Sequence, residues 1–417
     1  MKINYSRLKW ACYTANISMS VVACLSPLLF VTFRNLYGIS YSLLGLLVLI
    51  NFVTQLLVDL LLSFVPHKFN IEKTVRMIPM LVALGLGIYG LFPFLFPNNV
   101  YTGLVIGTIV FSASSGFNEV LANPVILSIP SDDPDKELSR LHSTYAWGIV
   151  GVIIVGSLIL LGFGSKNWQF LPLIFMLVPI SSIVLFGTTD MPQIATLEKV
   201  SGALNFLKNK TLWLCVAAIF FGGAAEVTMT QWCSAYLEKS LGIPKIWGDV
   251  LGMSLFAVAL GLGRTLYSSR GKNIGKVLVL GASGAFCCYV LAAAANNAVL
   301  GILACVFTGF CVSMLWPGSI LVSSERVSDS GVFVFAMMAA GGDLGAAIGP
   351  QFLGLVTDIS LASKELTQVA NQLSLTAEQL GMKIGILSCA VFPLLAIPFM
   401  VSITRKLKNP LEHSAKE

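Results

Sequence analysis

The 417-residue chain is poor in charge, because Asp, Glu, Lys and Arg together make up only 11% of it. A soluble globular domain carries about 25% of such residues. Several enzyme signatures are also missing: the sequence has no GxSxG nucleophile elbow, no HExxH zinc helix and no phosphate-binding loop. These absences argue against an enzyme and an ATP-driven pump, and we expect neither a catalytic residue nor a metal site.

Cysteine is present but carries no pairing pattern. All nine cysteines fall inside apolar runs, and no CxxC spacing occurs among them. Small buried side chains in packed helices are the expected role of such residues. The formal charge of +6 is spread along the chain, so we expect no nucleic-acid partner.

Apolar residues dominate instead, at 56% of the chain with a mean hydropathy of +0.83. Runs of roughly 20 apolar residues recur, which is the length that crosses a bilayer as a helix. We therefore predict an all-α membrane protein embedded in the lipid bilayer. The twelve predicted transmembrane helices lie at residues 10–33, 41–65, 75–96, 100–129, 139–163, 168–188, 211–237, 246–268, 275–295, 298–322, 331–358 and 382–404.

The basic residues predict how the chain is oriented. If the N-terminus is cytoplasmic, all but six of the 26 Lys and Arg residues lie on the cytoplasmic side. This bias follows the positive-inside rule, so we predict a multi-pass protein of the cell membrane, plasma or inner, with both termini in the cytoplasm. The first apolar run is too long for a signal-peptide core and is expected to be retained.

A polar loop divides the chain into two similar halves. Residues 1–190 are predicted to form one six-helix bundle and residues 211–417 a second, with a cytoplasmic loop at 191–210 between them. Paired bundles of this kind indicate a transporter whose site lies near the middle of the membrane. The external loop at 359–381 has apolar residues at helical spacing, which favours a short surface helix.

Three acids lie far from the ends of their spans: Glu119, Glu226 and Asp343. Inserting an acid near the centre of a membrane helix costs roughly 2.5–3.5 kcal/mol, so such residues normally face a bundle interior or a water-filled cavity. We interpret them as candidates for carrying a proton, with Glu119 and Glu226 expected to face each other from opposite halves. Structural burial of all three acids is the competing interpretation.

Amides and aromatic rings inside the spans could bind a sugar, through hydroxyl hydrogen bonds and apolar ring faces. Asn123 follows Glu119 by one helical turn and precedes Pro124. The candidate solute-contacting residues are Asn123, Gln231, Trp232, Asn16, Tyr145, Trp316 and Gln351.

Charged residues near the cytoplasmic ends of spans suggest a conformational latch. Asp59 ends the second span before a basic loop, and Arg264 lies near the end of the eighth. We expect Asp59 to cap a neighbouring helix or to pair with a base. The segment 131–140 is interpreted as a solvated loop leading into the fifth span.

The twelve spans in two halves resemble the major facilitator superfamily. Within it, "NEVLANPVI" at 118–126, "GGAAEVTMTQW" at 222–232 and "MLWPGSI" at 314–320 resemble the fucose permease-like branch. This resemblance implies proton-coupled uptake of a monosaccharide, with Glu119 as the membrane acid and Asn123 as its partner amide. The branch also has an acid in its first span, whereas the most polar residue of the first span here is Asn16.

The function that we expect is therefore secondary active uptake of a monosaccharide by alternating access, driven by a proton gradient, without a bound cofactor and as a monomer. A sodium gradient is an alternative driving force. The alternative functions are a proton-driven exporter of drugs or amphipathic compounds, a symporter of another small polar solute, and a membrane sensor that binds a solute and signals. The fifth span lacks the proline typical of such exporters, and the loops leave no room for a signalling domain.

Overall fold

The computed structural model describes residues 5–64, 69–131, 134–192, 208–327 and 331–405. Within these ranges the chain is helical, without a β-strand. The helices up to residue 187 are α1 (Ser6–Tyr37), α2 (Tyr41–Phe64), α3 (Ile71–Leu95), α4 (Val100–Leu127), α5 (Pro134–Phe163), α6 (Phe170–Phe175) and α7 (Leu177–Gly187). The later helices are α8 (Lys210–Leu241), α9 (Lys245–Trp247), α10 (Leu255–Arg270), α11 (Ile274–Ala294), α12 (Ala298–Val312), α13 (Leu315–Arg326), α14 (Gly331–Ala362), α15 (Lys364–Gln372), α16 (Ala377–Cys389) and α17 (Val391–Thr404).

Twelve segments of the described chain are long and apolar enough to cross a membrane, as predicted. Eight of them contain one long helix, whereas four combine two helices: α6 with α7, α9 with α10, α12 with α13, and α16 with α17. A π-helical turn, Gly248–Ser254, joins α9 to α10. The all-α membrane fold is thus confirmed, and the short helix predicted within 359–381 is α15.

The chain forms two compact units. One comprises Met1–Lys199 with Lys245–Val250, and the other comprises Val200–Pro244 with Leu251–Glu417. The short stretch Lys245–Val250 groups with the first unit, where Ser157 of α5 donates a hydrogen bond to Asp249 at 3.0 Å. The predicted division into 1–190 and 211–417 stays a prediction, since it assigned this stretch to the second bundle.

Glycines let α3 and α4 of the first unit approach closely. A Cβ atom on Gly85 would lie 2.7 Å from both the Cβ and the backbone nitrogen of Phe111. A Cβ on Gly107 would lie 2.9 Å from the backbone nitrogen of Tyr89. Because backbone atoms cannot move aside as a flexible side chain can, these two positions require glycine. Small residues at helix contacts are the usual means of close packing in membranes.

The start of α5 corrects one sequence interpretation. The segment 131–140 was expected to be a solvated loop, but the helix begins at Pro134 and Glu137 is buried within it. The Glu137 carboxylate accepts a hydrogen bond from Tyr13 at 3.1 Å and lies 3.0 Å from both Lys9 and Arg140. Proline is well tolerated in the first turn of a helix, which explains the early start.

We expect Gly85→Ala to lower the stability of the first unit by roughly 1–3 kcal/mol, the usual cost of overpacking. Gly151→Ala is the matched control, because nothing lies within 4 Å of a Cβ built there. Thermal unfolding of the purified variants in detergent measures the difference. Equal midpoints for the two variants would contradict the close approach of α3 and α4.

Glu137 should make stability depend on pH. The hydrogen bond from Lys9 is the main reason that the pKa of Glu137 lies below its ordinary value, and Tyr13 and Arg140 add to it. A lowered pKa in the folded state stabilises the fold above the unfolded value, about 4.3, and this stabilisation is lost as the pH falls through the folded value.

Glu137→Gln should therefore lower the thermal midpoint at pH 7, and its difference from the native protein should vanish in acid. Glu72→Gln is the control, because the exposed pair of Glu72 with Arg76 contributes at most about 1 kcal/mol. A Glu137→Gln deficit that stays constant across the acid range would refute this role of the carboxylate.

Candidate functional site

Glu119 lies on α4, about two turns before the helix ends at Leu127. Its side chain is exposed, whereas Ser112 and Ser115, on the same face of α4, are buried. An exposed carboxylate at this depth in a membrane span is costly unless water reaches it. The role of Glu119 as a proton carrier stays a prediction, and the exposed surface of its side chain is what that role requires.

Asn123 is partly exposed and contacts the same turn of α4. Its Nδ2 donates to the backbone carbonyl of Glu119 at 3.5 Å. Pro124 has no N–H to donate to the carbonyl of Val120, four residues earlier, so this turn carries an acceptor that the helix does not use. The helix nevertheless continues through Pro124 to Leu127. Glu119, Asn123 and this carbonyl thus place three polar groups close together on α4.

Buried amides connect α4 to its neighbours. Ser112 donates to Oδ1 of Asn51 on α2, and Gln55 donates to the same oxygen at 3.1 Å. Asn118 donates to Oδ1 of Asn16 on α1 at 3.2 Å, and Asn16 in turn donates to the carbonyl of Leu141 at 2.7 Å.

Asn16, predicted to contact the solute, is thus buried and bonded to α4 and α5. Asn118 was missed by sequence reasoning, although an amide inside an apolar span was a sufficient signal. Buried polar groups in a bilayer must find partners within the protein, and these amides do so. They fix the position of α4 and hence of Glu119.

Asp59 lies beside Glu119 within the first unit, and the two carboxylates interact electrostatically. It is partly buried, more than one turn before the end of α2 at Phe64. Asp59 was predicted to lie at the end of its span and to act in a latch. Asp59 lies three residues before the apolar span ends at Leu62, and its role in a latch stays a prediction.

In the second unit, the helix of the tenth span is interrupted between Ser313 and Pro317. α12 ends at Val312 and α13 begins at Leu315. Pro317 cannot donate to the carbonyl of Ser313, four residues earlier. Nε of Arg264 donates to that carbonyl instead, at 3.1 Å. The break is therefore stabilised by a charged side chain from α10.

Arg264 also holds Glu226, and its Nη2 lies 3.3 Å from Oε1 of that residue. The side chain of Glu226 is 15% exposed and that of Arg264 is 44% exposed. Arg264 was predicted to act in a latch, but it is engaged with an acid inside its own unit. Glu226 thus has a cation as its neighbour. The expectation that Glu119 and Glu226 face each other stays a prediction, because they lie in different units.

Trp232 was predicted to contact the solute, but in this structure it lies inside the protein. It is fully buried, and its indole Nε1 donates to the carbonyl of Pro350 at 3.0 Å. The donor that a sugar would need is already used, so Trp232 ties α8 to α14. Its neighbour Gln231 is also buried.

The remaining predicted residues are placed as follows. Trp316 is partly exposed and packs over two glycines, so that a Cβ on Gly342 would collide with its ring and one on Gly223 would lie 3.0 Å from it. Tyr145 is partly exposed, and its backbone carbonyl accepts from Ser20 at 2.8 Å. Asp343 is buried, and Gln351 is partly buried with its Oε1 unpartnered among the described residues. Trp316, Tyr145 and Gln351 thus keep surface for a solute.

Comparison with known proteins gives a consistent fold. The family model of the Major Facilitator Superfamily matches residues 11–350. A bacterial homologue of the human lysosomal transporter Spinster aligns at a TM-score of 0.72 and 16% identity, covering 97% of both chains. The D-xylose–proton symporter aligns at 0.74 and 12% identity, covering 97% of this chain and 98% of the other.

The Escherichia coli fucose:proton symporter aligns at a TM-score of 0.57 and 15% identity, covering 95% of this chain and 97% of the other. At these identities the likeness shows the fold alone. No curated protein sequence matches the chain.

Trp232→Phe should lower the thermal midpoint, since loss of the hydrogen bond to Pro350 costs about 1 kcal/mol or more. It should leave the affinity for any transported solute unchanged, because the indole has no exposed surface. Trp147→Phe, at a tryptophan that is 73% exposed, is the control for losing an indole. A weaker solute affinity with an unchanged midpoint would return Trp232 to the solute site.

Proposed function

The chain belongs to the major facilitator superfamily, and from that premise we propose that it takes up a monosaccharide by proton symport, through alternating access. The observation that carries this proposal is the exposed carboxylate of Glu119 within an apolar span, beside Asn123 and the Pro124 turn. A carboxyl group that water reaches inside a membrane can bind a proton on one side and release it on the other.

The solute class is inferred from amide and aromatic residues that keep exposed surface. Asn123, Tyr145, Trp316 and Gln351 keep exposed surface, and together they offer amides and aromatic faces. Hydroxyl groups suit the amides, and the apolar face of a sugar ring suits the indole. Two proteins of similar fold are a D-xylose–proton symporter and a fucose:proton symporter. This likeness supports a monosaccharide as the solute. The Spinster homologue and a nucleoside transporter show that the fold alone does not select the solute.

We further propose that the protein works in the cell membrane as a monomer, with both termini in the cytoplasm. The bias of Lys and Arg towards one side supports the orientation. The proton gradient is the proposed driving force. A sodium gradient is the alternative, in which the candidate carboxylates would bind the sodium ion.

Glu119→Gln should abolish accumulation driven by an inward proton gradient and leave solute exchange intact. Glutamine keeps the shape of the side chain but cannot release a proton. The measurement is uptake of labelled monosaccharides by purified protein in liposomes, with accumulation and counterflow recorded on the same preparation. Glu72→Gln removes an exposed acid as the matched control.

The outcomes separate the roles of Glu119. Loss of exchange together with accumulation, in a folded variant, would make Glu119 a solute-binding residue instead. Absence of sugar movement in the native protein under any gradient would overturn the sugar assignment and favour another solute or export.

A further inference from the structure

A stripe of polar residues on α2 faces α4. Asn51, Gln55 and Asp59 recur every four residues, so they lie on one face of the helix. The first two are bonded into the contact with α4, through the shared Oδ1 of Asn51. The third, Asp59, continues the stripe by one turn.

The packing of the two helices fixes what lies opposite Asp59. A Cβ on Gly116 would lie 2.9 Å from Cβ of Val58 and 3.0 Å from the carbonyl oxygen of Gln55, so the backbones nearly touch there. Ser112 is opposite Asn51 and Gly116 is opposite Gln55, in the same register. One further turn along α2, Asp59 lies level with the turn of α4 that carries Glu119 and Val120. The electrostatic interaction of Asp59 with Glu119 and the full burial of Oδ1 of Asp59 agree with this register.

Two carboxylates side by side within a membrane span repel each other strongly when both are ionised. This repulsion adds to the cost of placing even one acid in the membrane. A single proton held between the two carboxyl groups removes the repulsion, as in paired acids elsewhere.

Among the described residues of this unit, several other ionisable groups pair with one another at a different place. The Glu137 carboxylate of α5 binds Tyr13 and Lys9 of α1 and Arg140 of α5. These contacts lie near the helix ends. His142 of α5 is exposed. α3 brings Glu72 and Arg76, which pair with each other at its first turns.

We propose that Asp59 and Glu119 form one proton-binding site, in which Asp59 supplies the second acid that the first span lacks. The inference rests on the proposed proton symport. One proton is shared by the pair in each transport cycle, and it leaves when the pair meets the other side of the membrane. Gln55 and Asn51 hold α2 in the register that keeps the two carboxyl groups adjacent.

Stoichiometry is the sharpest test, and it uses the unmodified protein. With the membrane potential clamped at zero, a gradient of one pH unit drives a neutral solute to about tenfold accumulation for one proton per cycle. Two independent protons, one on each acid, would set the limit at about a hundredfold. The shared site predicts that accumulation of the transported sugar in liposomes stops at the tenfold limit. A hundredfold limit would overturn it.

Variants then assign the proton to the pair. Asp59→Asn, Glu119→Gln and the double variant should each lose accumulation, by about tenfold under the same gradient, and should keep counterflow. The double variant should be no worse than either single one, because all three remove the same proton. Asp59→Glu should restore accumulation, and Glu72→Gln should behave as the native protein.

Failure of this inference differs from failure of the proposed function. Accumulation that survives in Asp59→Asn but not in Glu119→Gln overturns the pair and leaves proton symport standing. Loss of counterflow in a folded Asp59→Asn variant assigns Asp59 a structural role and also overturns the pair. Accumulation driven by sodium without a proton gradient, or none in the native protein, overturns both.

Discussion

The cost of leaving a polar group unpaired in a bilayer is the constraint on which this structure depends. Water is absent from the hydrocarbon core, so amides, hydroxyls and carbonyls there must bond to one another. The amides of Asn16, Asn118 and Asn51 do this across α1, α2, α4 and α5. Where Pro317 leaves the carbonyl of Ser313 without its helical donor, Arg264 supplies one. These bonds set the depth and direction of the few side chains that remain free.

The same constraint separates the two mid-span glutamates. Glu226 has a guanidinium within 3.3 Å, which offsets the cost of its charge. Glu119 interacts electrostatically with another acid, Asp59, and its side chain keeps exposed surface. A carboxylate with a fixed cation suits a structural or solute-binding role, whereas one beside a second acid suits reversible protonation. The arrangement therefore favours Glu119 over Glu226 as the proton carrier.

Much of the fold could be predicted from the sequence, because spanning length and apolar composition are local properties. All twelve spans and the short helix α15 were predicted in this way. Partners across helices could not be, since they depend on the rotation of each helix about its axis. Trp232 was expected at the solute site, but rotation of α8 turns it into the contact with α14. The electrostatic interaction of Asp59 with Glu119 and the ion pair of Arg264 with Glu226 were likewise not predicted.

Proton movement coupled to solute entry is the central claim, and it can be observed directly. Proteoliposomes in a lightly buffered, potential-clamped suspension should make the bath alkaline when the transported sugar is added, since protons enter with it. The alkalinisation should be absent in Glu119→Gln liposomes. Labelled sugar that enters the native liposomes without any change in the pH of the bath would contradict proton symport.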